Sequence, residues 1–91
     1  MITAFVFIQA DVARLGETAE AIASIEGVSE VYSVTGELDL IALVRVRGHD
    51  DIASVVTGQV GRVPGVRSTQ TQIAFQTFSQ HDLEEAFSIG L

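Results

Sequence analysis

Val31 to Val46, VYSVTGELDLIALVRV, says more about the topology of this chain than any other stretch. Two β-branched, strongly apolar runs flank Thr35-Gly36-Glu37, and the single acid Asp39 stands at the start of the second. Apolar runs around a short Gly-containing connection read as a β-hairpin, and Gly36 supplies the backbone freedom that the turn requires. Asp39 therefore sits at the hairpin mouth, where element ends on a rigid scaffold often carry binding residues. On the residues alone it is either a turn cap or part of a binding site.

Outward from the hairpin, the chain repeats a unit. Ile2 to Ala10 is a strand apolar on both alternating faces, with Ile2, Ala4, Val6 and Ile8 on one and Phe5 and Phe7 on the other. Such a strand belongs in a sheet covered on both sides. Asp11 is an N-cap candidate, and Val12, Leu15, Ala19, Ile22 and Ile25 recur at helical spacing up to Gly27. Strands follow at Val28 to Thr35 and Leu38 to Arg47. Asp50 or Asp51 then caps a second helix carrying Ile52, Val55, Val56, Val60 and Val63. Pro64-Gly65 stops it, and Val66 to Phe78 is the fourth strand.

Gly27-Val28 and Gly65-Val66 are matching joints of the two halves. Two βαβ units joined by a hairpin predict an α+β, ferredoxin-like βαββαβ sandwich, a four-stranded antiparallel sheet with two helices on one face. The domain is expected over residues 1–79. A separate tail over 80–91 contains Asp82-Leu83-Glu84-Glu85, a helix-start pattern, so a short C-terminal helix is predicted there. The sheet's other face is left bare, although the first strand is apolar on both faces and the third has Leu38, Leu40, Ala42 and Val44 on one side with Ile41 and Leu43 on the other. Exposed apolar patches of that kind mark interfaces, and a second copy packed sheet to sheet is the expected cover.

Composition narrows the function classes. The 91 residues are 47% apolar, contain no cysteine and carry a net charge of −7, with five arginines, no lysine and twelve acids. That balance repels a phosphate backbone and argues against direct nucleic-acid binding. No run of about 18 apolar residues is present, and Ile2 to Ile8 lacks the basic flank of a secretory signal. A cytoplasmic protein without membrane contact is the expectation. The absence of cysteine removes disulfides and thiolate metal sites.

The run Val34-Thr35-Gly36-Glu37-Leu38-Asp39-Leu40, then Val63-Pro64-Gly65-Val66, then Thr69-Gln70-Thr71 resembles the effector-binding (RAM) domain of the Lrp/AsnC family of feast/famine transcription regulators. The likeness extends from Ile2 to about Ser79. Regulators of this family carry a helix-turn-helix domain before the first strand, whereas here the strand starts at Met1, so the expected form is the stand-alone one. The resemblance implies sheet-to-sheet dimers assembled into rings, with small effectors, usually amino acids, bound between dimers. Carried onto this chain, it places the effector near Gly36, Asp39, Gln59, Thr69, Thr71 and Ile73. Asp39 would pair with the ligand ammonium, and turn amides with Thr69 or Thr71 would hold its carboxylate. No cofactor is implied.

The competing reading is a cofactor-independent dimeric α/β-barrel monooxygenase or isomerase, whose proton-transfer candidates are Tyr32, His49 and His81. Both histidines precede acids at helix entries, where solvated residues are the ordinary case. A metal site from His81, Glu84 and Glu85 fits helical spacing but lacks a supporting shell. A third reading is a purely structural partner that mixes with full-length regulators of the same family through the sheet or ring contacts.

Overall fold

The computed structural model describes residues 1–80. β1 (Ile2–Ala10) leads through a 3-10 turn (Val12–Arg14) into α1 (Leu15–Ala23), then β2 (Val28–Ser33) and β3 (Leu40–Val46). α2 (His49–Val56), a second 3-10 turn (Val60–Arg62) and β4 (Val66–Ile73) complete it. The sheet has the order β2-β3-β1-β4 with every neighbouring pair antiparallel, the predicted split βαβ topology. The tail helix predicted over 80–91, with His81, Glu84 and Glu85, falls beyond residue 80 and so outside the described residues.

Alternation sorts the central strands into two faces. Ala4, Val6, Ile8 and Ala10 of β1 and Leu40, Ala42, Val44 and Val46 of β3 are buried toward the helices. Ile22 from α1, Ile52, Val55 and Val56 from α2, and Val60 close over them as one cluster. On the other face, Phe5 lies opposite Leu43, while Phe7 and Tyr32 flank Ile41. Among the described residues no helix covers this face, and Tyr32 is 50% exposed. Polar residues rim the patch: Gln70 opposite Phe7, Gln72 opposite Phe5, Glu30 opposite Leu43.

The repeat read from the sequence is geometric as well. Val28 N–H donates to Ile25 C=O and Val66 N–H to Val63 C=O, each at 3.1 Å. The third residue of each turn is a glycine with φ near +99°, Gly27 and Gly65. These are type II turns, with Pro64 at the position where its fixed φ is favoured. Each glycine carbonyl then accepts a further backbone bond, Gly27 from Arg45 at 2.9 Å and Gly65 from Asp11 at 2.8 Å.

Several boundaries differ from the sequence reading, each for a local reason. Asp11 does cap, accepting Ala13 N–H at 3.1 Å, but its first turn is 3-10 and the α-helix begins at Leu15. The N-cap of α2 is Gly48, not Asp50 or Asp51; Asp51 occupies the third helical position and reaches back to accept Gly48 N–H at 3.1 Å. β4 ends at Ile73 rather than Phe78 because its partner β1 runs out. The last ladder contact is Ala74 N–H to Thr3 C=O, and Phe75 and Phe78 are 100% and 89% exposed.

Candidate functional site

β2 and β3 are joined by residues 34–39, longer than the tight turn expected, with Gly36 at φ +103°. A Cβ added at Gly36 would meet nothing within 4 Å, so the glycine is required by backbone conformation and not by crowding. Val34 N–H donates to Asp39 C=O at 3.1 Å and closes the loop. Asp39 N–H donates to Ile8 C=O at 3.0 Å and ties the loop to β1.

The Asp39 side chain has a structural partner. Its Oδ2 accepts Ala10 N–H at 2.8 Å, across 29 residues of chain. The β1–β4 register slips at this point: Gln9 faces Ser68 while Ala10 faces Val66, which makes Arg67 the extra residue of a β-bulge. A bulge disrupts the ladder locally, and Asp39 serves the amide there. Ser68 Oγ donates to Gln9 Oε1 at 2.9 Å on the other side of the slip. Arg67 lies 4.0 Å from Asp11, a loose exposed pair. One Asp39 oxygen is thus committed to the fold, and no described contact involves the other.

Thr69, Thr71 and Ile73 share the helix-side face of β4, opposite Ile8, Val6 and Ala4. Both threonines are half-buried and Ile73 is exposed at the sheet edge. The row Leu40–Ile8–Thr69 puts Thr69 two strand spacings from the hairpin mouth, roughly 10 Å. Thr69 therefore lies at the hairpin's end of the sheet without touching the hairpin, while Thr71 pairs with Val6 in mid-strand and Ile73 with Ala4 toward the other end. Gln59 is elsewhere. It follows α2, donating its N–H to Val55 C=O at 3.2 Å, and lines a cleft of about 420 Å³ beside Gly27 and Arg47, at the opposite end of the sheet.

Neither Tyr32 nor His49 lines that cleft. Tyr32 stands on the open sheet face, and His49 is the exposed first residue of α2. Among the described residues no group of three His, Asp or Glu side chains is placed to hold a metal ion, and no helix is long and apolar enough to cross a membrane. The sequence reading missed the Ala10 amide, the bulged Arg67 and the cleft arginines. A register slip leaves no mark in hydrophobic periodicity, so no local signal pointed to the first two.

A βαββαβ sandwich with a carboxylate-braced hairpin defines the class of the chain, an α+β, ferredoxin-like domain. The chain belongs to the Lrp/AsnC family: the family model described as the Lrp/AsnC ligand-binding domain matches residues 3–83. An uncharacterized HTH-type transcriptional regulator of Pyrococcus furiosus is 36% identical over 81 residues, a match covering 86% of this chain and 54% of that protein. The chain spans about half the length of the curated relatives it matches. The crystal structure of TTHA0845 from Thermus thermophilus is 44% identical and superposes with a TM-score of 0.83, covering 88% of this chain and all of that one. A feast or famine regulatory protein of Mycobacterium tuberculosis, solved in complex with L-methionine, is 28% identical with a TM-score of 0.73, covering 88% of this chain and 54% of that one.

Proposed function

We propose that this domain binds a free α-amino acid at the hairpin Gly36–Asp39, as the effector-sensing part of a regulatory oligomer. The observation that carries the reading is the L-methionine complex of a relative with the same fold. The chemistry of the hairpin is consistent with it. The Asp39 oxygen outside the Ala10 bond is an acceptor for an ammonium, a charge-assisted contact of the stronger kind. Open space beside Gly36, where an added Cβ would meet nothing within 4 Å, leaves room for a ligand against the loop.

Thr69 stands about 10 Å from the hairpin mouth, with Thr71 and Ile73 farther along β4, and we assign their part in the site to a neighbouring copy whose β4 comes against the hairpin. Dimers form through the open faces, with Phe5, Phe7, Tyr32, Ile41 and Leu43 packed on the same residues of the partner, and dimers close into a ring. The same contacts would admit full-length regulators of the family. Gln59, at the far end of the sheet, drops out of this effector set.

The test is a thermal-shift screen against the twenty amino acids, with molar mass measured by light scattering in the same buffers. A ligand at a hundred times its Kd adds about 2.7 kcal/mol, and each kcal/mol moves a domain of this size by roughly 4–8 °C. The screen should find at least one amino acid that raises Tm and a mass at or above that of a dimer. Unchanged Tm with all twenty would remove the effector role, and a monomer at every concentration would remove the assembly.

A further inference from the structure

We infer that residues 74–79, which run on past β4, form an arm that clasps the open sheet face of a second copy, with Phe75 and Phe78 as its anchors. The inference rests on the sheet-to-sheet dimer of the proposed function and names the segment that closes it. Phe75 is 100% exposed and Phe78 89%, so both rings stand almost bare in their own protomer. Apolar side chains scattered singly over a surface are ordinary, but two bare phenylalanines three residues apart on one uncharged segment mark a contact.

The β1–β4 register fixes where the arm leaves the sheet. Ile73 pairs with Ala4, and Ala74 N–H donates to Thr3 C=O at 2.9 Å, which brings Phe75 level with Ile2, the first residue of β1. Beyond that point β1 offers no further backbone to pair with, and residues 74–79 belong to no helix or strand. An extended chain covers about 3.3 Å per residue, so Phe78 can stand up to about 13 Å past the last ladder bond. The arm does not lie across its own open face, because rings set on Phe5 or Leu43 would be covered there.

The composition of the run is that of an interface. Ser68 to Gln80 carries no charge, in a chain of which 19% is charged. β4 is an edge strand, and edges that face water are ordinarily protected by lysine, proline or other charges. The opposite edge, β2, carries Glu30, whereas the only charge on β4 is Arg67 near its start.

The complement is on the same chain. Phe5, Phe7, Ile41 and Leu43 of the open face lie side by side across β1 and β3, with Tyr32 beside Ile41 on β2. An uncovered apolar face and an arm of uncovered rings are two halves of one contact, and a second copy supplies both. Used reciprocally, arm on face and face under arm, the contact closes at two copies. Each buried phenylalanine removes about 150–250 Å² from water, so two from each copy contribute about 600–1,000 Å². A stable interface buries about 1,200–2,000 Å², and the sheet faces supply the remainder.

The experiment uses the full chain. Sedimentation equilibrium compares wild type with the Phe75→Ser/Phe78→Ser variant, whose circular dichroism should be unchanged because both rings are exposed in the protomer. Its dimer dissociation constant should rise by at least about a hundredfold. Isotope-filtered NOE spectra of wild-type dimers mixed from labelled and unlabelled copies locate the contact without any substitution. The Phe75 and Phe78 rings of one copy should show NOEs to the Ile41 and Leu43 methyls of the other. A folded double variant that dimerises like wild type, or arm NOEs found only within one chain, would overturn the arm while leaving the sheet-to-sheet dimer standing. A monomeric wild type would remove the dimer and the arm together.

Discussion

Gly27, Gly36 and Gly65 have nearly the same φ, +99°, +103° and +98°, but very different surroundings, so alanine at the three positions separates backbone strain from crowding. At Gly36 an added Cβ meets open space. The substitution should cost only the left-handed penalty of about 1–2 kcal/mol, reduced by the lower entropy of the unfolded chain, about 0.4–1 kcal/mol. At Gly27 the same penalty applies and Val55 and Val46 must also give way. Overpacking of that kind adds about 1–3 kcal/mol.

Gly65 is the extreme case, because its Cβ would overlap Thr18 Oγ1. Thr18 is 1% exposed and donates to Pro64 C=O at 3.0 Å, so the hydroxyl has nowhere to turn without abandoning a buried bond. Losing that bond adds about 1–3 kcal/mol, and with strain and overpacking the total is roughly 2–7 kcal/mol, a large part of a domain's whole stability. Urea unfolding at one fixed protein concentration measures the series, since association also contributes. The order should be Gly36→Ala, then Gly27→Ala, then Gly65→Ala as the most damaging. Adding Thr18→Ala to Gly65→Ala clears the overlap and should recover about 1–3 kcal/mol relative to additivity. Equal losses at the three glycines, or strict additivity in the double variant, would refute the idea that crowding at Thr18 makes Gly65 obligatory.

The two substitutions at Asp39 should part company. Asp39→Ala removes the acceptor for Ala10 N–H and should destabilise by about 1–3 kcal/mol in urea unfolding, whereas Asp39→Asn keeps an oxygen there and should lose less than half as much. Tyr32→Glu, on the open sheet face, should leave circular dichroism unchanged while shifting light-scattering mass toward the monomer, because it sets unpaired charges in the proposed dimer contact. Thr69→Val with Thr71→Val should preserve Tm within a few degrees, since both threonines are half-buried on a strand that favours valine, while reducing the thermal shift given by an amino acid.

The fold was legible in the sequence because burial on this sheet follows the strand period. Ala4, Val6 and Ile8, and Leu40, Ala42 and Val44, alternate with the residues of the open face as their spacing indicates. The joints Gly27-Val28 and Gly65-Val66 were readable because a type II turn needs a glycine at a fixed place. What depended on contacts distant in sequence was not readable. The slip that makes Arg67 a bulge residue, and the Asp39 bond to Ala10 across 29 residues, arise only when β1, β3 and β4 come together. Thr69, Thr71 and Ile73 were correctly placed on one face of one strand by period two. Gln59 could not be separated from them along the chain, because only the folded arrangement, in which it lines a cleft with Gly27 and Arg47, shows at which end of the sheet it sits.

Amino-acid recognition by the Asp39 hairpin can be put to a single decisive assay, calorimetric titration of wild type and Asp39→Asn with L-methionine and then with each of the other nineteen amino acids. At least one should bind the wild type saturably, and its binding should weaken about tenfold or more in a folded Asp39→Asn protein through loss of the charge-assisted contact. Binding of equal strength in both proteins, or heats of dilution alone for all twenty, would contradict recognition at this hairpin.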